Sequence, residues 1–243
     1  MTRVFGEVAD LYDDVRPGYP DDVRRAILDY RGGRPAQVVE IGAGTGKGTE
    51  LLRRLGAPLT AIEPDPRMAA VLRAKFPDVE VVGQAFEDWA PPAAGVGLLA
   101  CASAWHWTDP ATRHRRAFDA LSRDGVLALF LNRFGYADPA QGAAIGDFLT
   151  RIDPGVVPRA DNWPFDEVAG AGLWHDVEER AWHHYPEIGK DRYLALTQTF
   201  GPFRHRPPEL RQECLDGLGA LLDDFGGSVV LDLRTTLVLG RRR

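Results

Sequence analysis

The feature that most constrains the fold is the stretch VVEIGAGTGKGTELL, residues 38–52, where glycines occupy every second position from Gly42 to Gly48. An apolar run precedes the glycines and a helical pattern follows them. Glycine permits backbone angles and close approaches that other residues do not, and a glycine loop before a helix commonly cradles a ligand. The stretch therefore predicts a strand, a binding loop and a helix; a tight structural turn is the alternative interpretation.

The segments after this loop alternate between strand-like and helix-like patterns. The strand-like runs are residues 36–42, 58–64, 79–83, 95–103 and 125–132, and the helix-like runs are residues 45–56, 65–77 and 109–125. Asp65 with Pro66, and Asp109 with Pro110, have the residue types of a helix N-cap followed by its first residue. This alternation predicts an α/β fold with a doubly wound, mostly parallel sheet, whose ligands bind beyond the carboxyl ends of the strands.

The second half of the chain is less regular. Its patterns predict helices in residues 137–152, 163–172 and 206–226, and strands in residues 174–187 and 228–241. The sequence contains no repeat and no low-complexity linker, so we expect a single domain over residues 1–243. Its predicted parts are N-terminal cap helices (1–34), a cofactor-binding core (35–132), a helical substrate cap with late core elements (133–227) and a last strand (228–243).

Composition and charge narrow the functional classes. The chain has 243 residues, 29 basic against 35 acidic side chains and a net charge of −6, which gives no general attraction to nucleic acid or to anionic membranes. No stretch approaches the roughly 18 apolar residues of a membrane helix, and the first residues lack a signal-peptide core. We therefore expect a cytoplasmic protein. Cys101 and Cys214 lie far apart and are expected to be reduced core thiols.

Two phosphate-binding patterns fit the glycine loop poorly. A Walker loop requires a glycine five residues before the Gly-Lys pair and a Ser or Thr after it, but here Ile41 and Gly48 occupy those positions. A dinucleotide fingerprint counted from Gly42 requires a small residue at its sixth position, which is Lys47. The first pattern fails, and the second is weakened without being excluded.

An acidic residue at the end of the second strand-like run gives the better interpretation. Glu63 follows the loop by about twenty residues, where a carboxylate accepts hydrogen bonds from two ribose hydroxyls. Together with Glu40-x-Gly42-x-Gly44, and with the N-terminal stretch FGEVADLYDDVRPGYP, the sequence resembles the class I S-adenosylmethionine-dependent methyltransferases. The resemblance covers most of the first 135 residues and points to the small-molecule branch of methyltransferase type 11 and trans-aconitate methyltransferases.

The resemblance implies a Rossmann-like sheet of seven strands and the following cofactor contacts. Glu40, Gly42, Ala43 and Gly44 would form the bed under the methionine part of the cofactor, and Glu63 would hold the ribose. The adenine would be flanked by Pro64 or Met68 and by Ala85 and Phe86 of GQAFEDW, in which Gln84 replaces an aspartate common in the family. Ser103 begins a segment that would lie beside the transferred methyl.

The stretch ASAWHWTDP, residues 102–110, is expected at the ligand edge of the sheet. Trp105 and Trp107 are candidate walls for a sulfonium or a flat substrate, since aromatic faces attract cations. His106 is the candidate catalytic base, because the unperturbed pKa of histidine lies near neutrality. The alternative is that the tryptophans fill the core and that His106 only orients a loop.

The N-terminal stretch supplies three further candidates. The resemblance suggests that YDDVRPGYP folds over the cofactor, where Arg16 would meet a carboxylate of the cofactor or substrate and Tyr12 and Tyr19 would contact the substrate. A surface arginine near a helix start is the competing interpretation of Arg16. His183 and His184 are expected on opposite faces of a strand, and we predict no metal site.

The predicted function is methyl transfer from S-adenosylmethionine to a small-molecule acceptor, at oxygen rather than nitrogen or carbon, with S-adenosylhomocysteine as product. The stretch after the fourth strand lacks the Asn/Asp-Pro-Pro-aromatic sequence that presents a flipped base, which disfavours a nucleic-acid substrate. Two alternatives stay open: a methyltransferase-like fold that binds the cofactor without transfer, and a nicotinamide oxidoreductase. We expect a monomer or a homodimer.

Overall fold

The computed structural model describes residues 4–155 and 163–242, and these form two compact units. The first unit contains residues 4–16, 133–155 and 183–234, and the second contains residues 17–132, 163–182 and 235–242. The predicted substrate cap of residues 133–227 is therefore divided, because residues 163–182 belong to the second unit. Val168 and Trp174 explain this assignment, since both are buried in an apolar cluster of that unit.

The described residues contain eight strands and ten α-helices, with short 3₁₀ helices at Val4–Val8 and Trp105–Trp107. The strands are β1 (Val38–Ile41), β2 (Leu59–Ile62), β3 (Glu80–Val82), β4 (Val96–Ala102), β5 (Leu121–Tyr136), β6 (Trp174–His184), β7 (Glu187–Gly189) and β8 (Ser228–Arg242). The helices are α1 (Ala9–Val15), α2 (Asp21–Arg31), α3 (Lys47–Arg53), α4 (Pro66–Lys75), α5 (Arg113–Ala120), α6 (Pro139–Ile152), α7 (Trp163–Gly170), α8 (Lys190–Thr197), α9 (Gly201–His205) and α10 (Pro208–Asp224).

The sheet has the order β3-β2-β1-β4-β5-β8-β6, and the short β7 pairs antiparallel with the start of β8. The first five strands of this order run parallel to one another. The prediction of a doubly wound, mostly parallel sheet is confirmed, and β7 adds an eighth strand to the seven expected.

Strand periodicity divides the core of the second unit into two apolar clusters. Successive residues of a strand face opposite sides of a sheet. Val38 of β1 packs in the cluster that holds Leu51 of α3, while Val39 packs in the cluster that holds Ala117 of α5. The same alternation holds along β4 and β5, so helices cover both faces and the ends of β1, β2 and β4 meet at one edge.

One of the two predicted helix starts is confirmed and the other is wrong. The Asp65 carboxylate accepts the Arg67 main-chain N–H at 2.9 Å, and Pro66 begins α4. Asp109 instead precedes a turn, and α5 begins at Arg113. The Asp109 carboxylate accepts from the Ala111 N–H at 3.0 Å and from the Thr112 hydroxyl at 2.7 Å, and the Asp109 carbonyl accepts the Arg113 N–H at 2.9 Å. Residues 110–112 thus form a turn that leads into α5.

The first unit has a separate apolar core. Helix α10 packs against α6 and α8, and Cys214 and Leu218 of α10 are buried with Ile145 of α6. The hydroxyls of Tyr136 and Tyr193 share a hydrogen bond of 2.5 Å within this unit. Both cysteines of the chain are buried free thiols, as expected, and burial raises the pKa of the Cys101 thiol in the second unit.

Candidate functional site

The glycine loop between β1 and α3 requires its glycines. Gly42, Gly44 and Gly46 have φ angles of +64°, +58° and +94°, which disfavour residues with a Cβ. At Gly42 a Cβ would also lie 2.5 Å from the Cβ of Ala104, which follows β4. The predicted binding loop therefore packs its main chain directly against the segment after β4.

Glu63 lies at this loop, as the ribose hypothesis requires. Its Oε2 accepts the Gly44 main-chain N–H at 2.8 Å, and its Oε1 accepts the Asp65 N–H at 2.8 Å. The side chain is 7% exposed and directly follows β2. A carboxylate has about four lone-pair sites, so these two bonds are compatible with additional donors from a ligand.

Glu40 occupies a different environment. It is fully buried on β1, and its Oε2 accepts the Thr49 hydroxyl at 2.5 Å. Its Oε1 has no hydrogen-bond partner within the described ranges, and a Cβ at Gly48 would lie 2.3 Å from that atom. Burial raises the pKa of Glu40 to about 8, with the Thr49 hydrogen bond opposing the shift and Glu63 adding to it. Without ligand, this side chain is therefore a protonated acid at neutral pH.

The predicted adenine contacts lie near the ends of β2 and β3. Met68 of α4 is buried, and its Cε lies 3.6 Å from the position of a Cβ at Gly44. Pro64 and Ala85 are half-buried. Phe86 is 3% exposed, and its main-chain oxygen accepts from Arg116. Met68 is thus brought to the glycine loop, while Phe86 is fixed by contacts with α5.

Ser103 and Tyr19 meet at the carboxyl end of β4. Their hydroxyls share a hydrogen bond of 2.9 Å, and Ser103 adopts a φ angle of +55°, which is uncommon for a residue other than glycine. Asn132 donates to the Gly18 carbonyl at 2.9 Å and accepts the Thr235 hydroxyl at 2.6 Å. The segment containing Tyr19 is therefore held at the sheet edge where the site was expected, and sequence analysis missed the role of Asn132.

The two tryptophans of the Trp105–Trp107 turn differ in environment. Trp105 is 3% exposed and donates its indole N–H to Oε1 of Glu167 at 3.0 Å, whereas Trp107 is 39% exposed. His106 is half-buried, and its ring centroid lies 4.6 Å from that of Trp107. Trp105 therefore fits the alternative in which a tryptophan of this stretch fills the core. His106 and Trp107 are exposed enough to contact an acceptor.

Tyr12 and Arg16 belong to the first unit. Arg16 donates from Nε to the Thr199 hydroxyl at 2.8 Å and from Nη2 to the Thr199 carbonyl at 2.9 Å. Its guanidinium lies 4.2 Å from the Phe200 ring centroid and 5.1 Å from that of Tyr12. The contacts seen for Arg16 thus anchor it within its own unit, and its predicted contact with a carboxylate stays a prediction.

The comparisons with known proteins agree with this geometry. A family model described as a methyltransferase domain matches residues 39–129. An uncharacterized methyltransferase of Mycobacterium tuberculosis is 33% identical over 226 residues, which cover 91% of this chain and 86% of that relative. The chain belongs to the class I S-adenosylmethionine-dependent methyltransferases. The resemblance based on the glycine loop, Glu63 and the N-terminal stretch is confirmed.

Two further comparisons concern branch and fold. The trans-aconitate 2-methyltransferase of Afipia carboxidovorans is 27% identical over 159 residues, covering 61% of this methyltransferase and 62% of that enzyme. The crystal structure of the YcgJ protein of Bacillus subtilis matches with a TM-score of 0.60 at 16% identity, over 92% of this methyltransferase and 99% of that chain. This structural match shows that the fold is shared.

Within residues 4–155 and 163–242, no three His, Cys, Asp or Glu side chains are grouped so that they could hold a metal ion. Among the helices of the same residues, none is both long and apolar enough to cross a membrane.

Replacing Gly48 by alanine is expected to destabilise this methyltransferase by about 2 kcal/mol, because the new Cβ would overlap Oε1 of Glu40 and the Cβ of Ala102. Gly146 is the matched control, since it also lies within a helix but has no atom within 4 Å of its added Cβ. Gly146→Ala should raise the free energy of unfolding by about 0.5–1 kcal/mol. Urea unfolding of both variants measures the difference, and equal effects would contradict the close approach at Gly48.

Glu40→Gln is expected to change how stability depends on pH in cofactor-free protein. In the unfolded wild type, Glu40 loses its proton near its ordinary pKa of 4.5. In the folded wild type, it keeps the proton until about pH 8. Wild-type stability therefore falls as pH rises between those values, whereas the glutamine variant lacks this loss. The free energy of unfolding of the variant, relative to that of the wild type, should increase by on the order of 3–4 kcal/mol from pH 5 to pH 8. Urea unfolding at a series of pH values measures both free energies of unfolding. If the two proteins show the same dependence on pH, Glu40 is ionised in the folded state and the prediction is wrong.

Proposed function

We propose that this methyltransferase transfers the methyl group of S-adenosylmethionine to an oxygen atom of a small-molecule acceptor. The hydrogen bond between Glu63 and Gly44 carries the proposal, because it joins the predicted ribose residue to the predicted methionine loop across 19 positions of sequence. The partial similarity to a trans-aconitate 2-methyltransferase favours an oxygen acceptor on a small acid. The net charge of −6 disfavours nucleic acid as the acceptor.

The residues at the loop fit the proposed cofactor. In the proposal, Glu63 accepts hydrogen bonds from the ribose hydroxyls and Gly42, Ala43 and Gly44 lie under the methionine part. The Gly44 main-chain N–H orients the Glu63 carboxylate at 2.8 Å. Glu40 lies beneath the loop as a buried acid.

Five more residues complete the proposed cofactor pocket. Pro64, Met68 and Ala85 flank the adenine, with Phe86 behind them in the core. Met68 supports this placement because its Cε reaches the Gly44 position. Ser103 lies on the side of the transferred methyl.

Bound S-adenosylmethionine supplies an electrophilic methyl on a sulfonium, and the acceptor oxygen displaces the sulfur in line. A carbon–oxygen bond forms as the carbon–sulfur bond breaks, and the sulfur keeps the bonding electron pair in neutral S-adenosylhomocysteine. The task of the protein is then to align the oxygen about 3 Å from the methyl and to exclude water. A covalent protein nucleophile is not required.

The segment after β4 is the proposed acceptor side. Its Ala104 abuts Gly42, so the Trp105–Trp107 turn begins beside the methionine loop. In the proposal Trp107 and Tyr19 contact the acceptor, and His106 removes a proton from a hydroxyl. A carboxylate acceptor is already ionised at neutral pH and needs no base.

Glu63→Ala is expected to weaken the binding of S-adenosylmethionine and S-adenosylhomocysteine at least tenfold, because two ribose hydroxyls lose their acceptor and the Gly44 N–H loses its partner. Isothermal calorimetry on cofactor-stripped protein measures both affinities, with NAD as the ligand control. Glu80→Ala is the matched carboxylate control, since Glu80 bonds to Thr60 on β2 and should leave both affinities unchanged. Tighter binding of NAD, or unchanged affinity in Glu63→Ala, would contradict the assigned pocket.

The role of His106 is tested with a panel of three acceptors: trans-aconitate, a phenol and a primary amine. Release of S-adenosylhomocysteine with an oxygen acceptor is expected. His106→Asn should slow transfer to the phenol about 100-fold and leave transfer to a carboxylate within a factor of three. His205→Asn, on the exposed end of α9, is the control. Equal losses of transfer rate with the phenol and with the carboxylate would show that His106 is not a base. Cofactor binding without release of S-adenosylhomocysteine for any acceptor would favour the alternative of a fold that binds the cofactor without methyl transfer.

A further inference from the structure

A partly buried polar cluster in the second unit centres on Glu167 of α7. Its Oε1 accepts from the Trp105 indole N–H at 3.0 Å and from Nε2 of His114 at 2.7 Å, and its Oε2 accepts from Nη2 of Arg113 at 2.5 Å. The side chains of Arg113, His114 and Glu167 are 10%, 13% and 24% exposed. Three donors from two other elements therefore converge on one carboxylate.

The hydrogen bonds of His114 define its tautomer. The Trp174 indole N–H lies 3.2 Å from Nδ1 of His114, and an indole nitrogen donates only. Nδ1 must therefore accept, which leaves the proton on Nε2, facing Glu167. A doubly protonated ring would direct its Nδ1 proton at the Trp174 N–H, so this hydrogen bond forms only when Nδ1 carries no proton.

Arg113 connects Glu167 to the main chain of the Trp105–Trp107 turn. Its Nη1 donates to the Trp105 carbonyl at 2.9 Å while its Nη2 donates to Glu167. The Thr108 hydroxyl donates to the same carbonyl at 2.7 Å. Trp105 is thus fixed at its side chain by Glu167 and at its main chain by Arg113 and Thr108.

The surroundings of Glu167 favour its ionised carboxylate. Burial by itself would raise the pKa of Glu167, but hydrogen bonds from His114 and Trp105 and the charge of Arg113 outweigh that effect and lower it. The ionised form of the carboxylate is therefore favoured beside the Arg113 guanidinium. Removing its charge would leave the Arg113 charge buried without its partner.

We propose that Glu167 is a positioning residue for the acceptor side, holding the Trp105–Trp107 turn so that His106 and Trp107 are presented beside the glycine loop. His106 and Trp107 directly follow Trp105 in the turn, so the anchored Trp105 sets the position of their main chain. The inference rests on the acceptor role proposed above for those two residues. No substrate contact is assigned to Glu167 itself.

The test is Glu167→Gln, which keeps the shape of the side chain but removes its charge and turns one acceptor oxygen into a donor. Asp166→Asn is the matched control, because Asp166 is the exposed neighbour on α7. The readouts are nitrogen NMR spectra of ¹⁵N-histidine protein at pH 7.5 and the indole N–H resonances of tryptophan. Single His106→Asn, His114→Asn and Trp107→Phe variants assign the signals.

The wild type and Asp166→Asn should show His114 as the neutral tautomer with the proton on Nε2. In Glu167→Gln the His114 signals should shift, and those of His106 and Trp107 should shift or broaden, because both residues follow the anchored Trp105 in the turn. The affinity for S-adenosylhomocysteine should stay within threefold of the wild type, because Glu63 and its loop are unchanged. Unmoved His106 and Trp107 signals would overturn the proposal and leave Glu167 as an anchor for α7 alone.

Thr108→Val is the second variant, chosen because it preserves size and removes only one donor to the Trp105 carbonyl. It should displace the His106 and Trp107 signals in the same direction as Glu167→Gln, by a smaller amount. Opposite or absent shifts would overturn the proposal even if Glu167→Gln fails to fold. A failure of the cofactor pocket itself would appear separately, as loss of S-adenosylhomocysteine binding in the wild type.

Discussion

The rest of the site depends on how closely other segments approach the main chain of the glycine loop. A Cβ at Gly42 would lie 2.5 Å from Ala104, and one at Gly48 would lie 2.6 Å from Ala102 and 2.3 Å from Glu40. These contacts draw the ends of β1 and β4 together with the start of α3. Because any side chain at these positions would separate the segments, the glycines determine how near the segment after β4 lies to the loop.

Two carboxylates near the loop behave differently because their partners differ. Glu63 receives two main-chain N–H groups, which orient its carboxylate at Gly44. Glu40 receives one hydroxyl and is fully buried, so that its pKa rises to about 8. One acid is therefore suited to accept hydrogen bonds from a ligand, while the other supports the loop from beneath as a neutral group. The residue types alone would not have distinguished them.

The proposed acceptor side is built from segments that are distant in sequence. The turn after β4 holds His106 and Trp107, but its anchor Glu167 lies 62 positions from Trp105, and Arg113 lies 54 positions from Glu167. No local pattern links such residues, so α7 was expected as a plain helix of the substrate cap. Its assignment to the second unit follows from burial of Val168 and Trp174 there. Asn132 was missed for the same reason, since its partners Gly18 and Thr235 come from opposite ends of the chain.

The sequence by itself determined the order of β1 to β5, the glycine loop, Glu63 and the family, because these depend on local periodicity, on glycine geometry and on spacing along one strand–helix unit. It also located α4 through Asp65 and Pro66. It placed the start of α5 three residues too early, since residues 110–112 form a turn that precedes the helix. Only the tertiary structure decided that Trp105 is buried while Trp107 is exposed, that Glu40 is protonated and that Glu167 anchors the turn. Burial and hydrogen-bond partners arise from segments that meet only after folding.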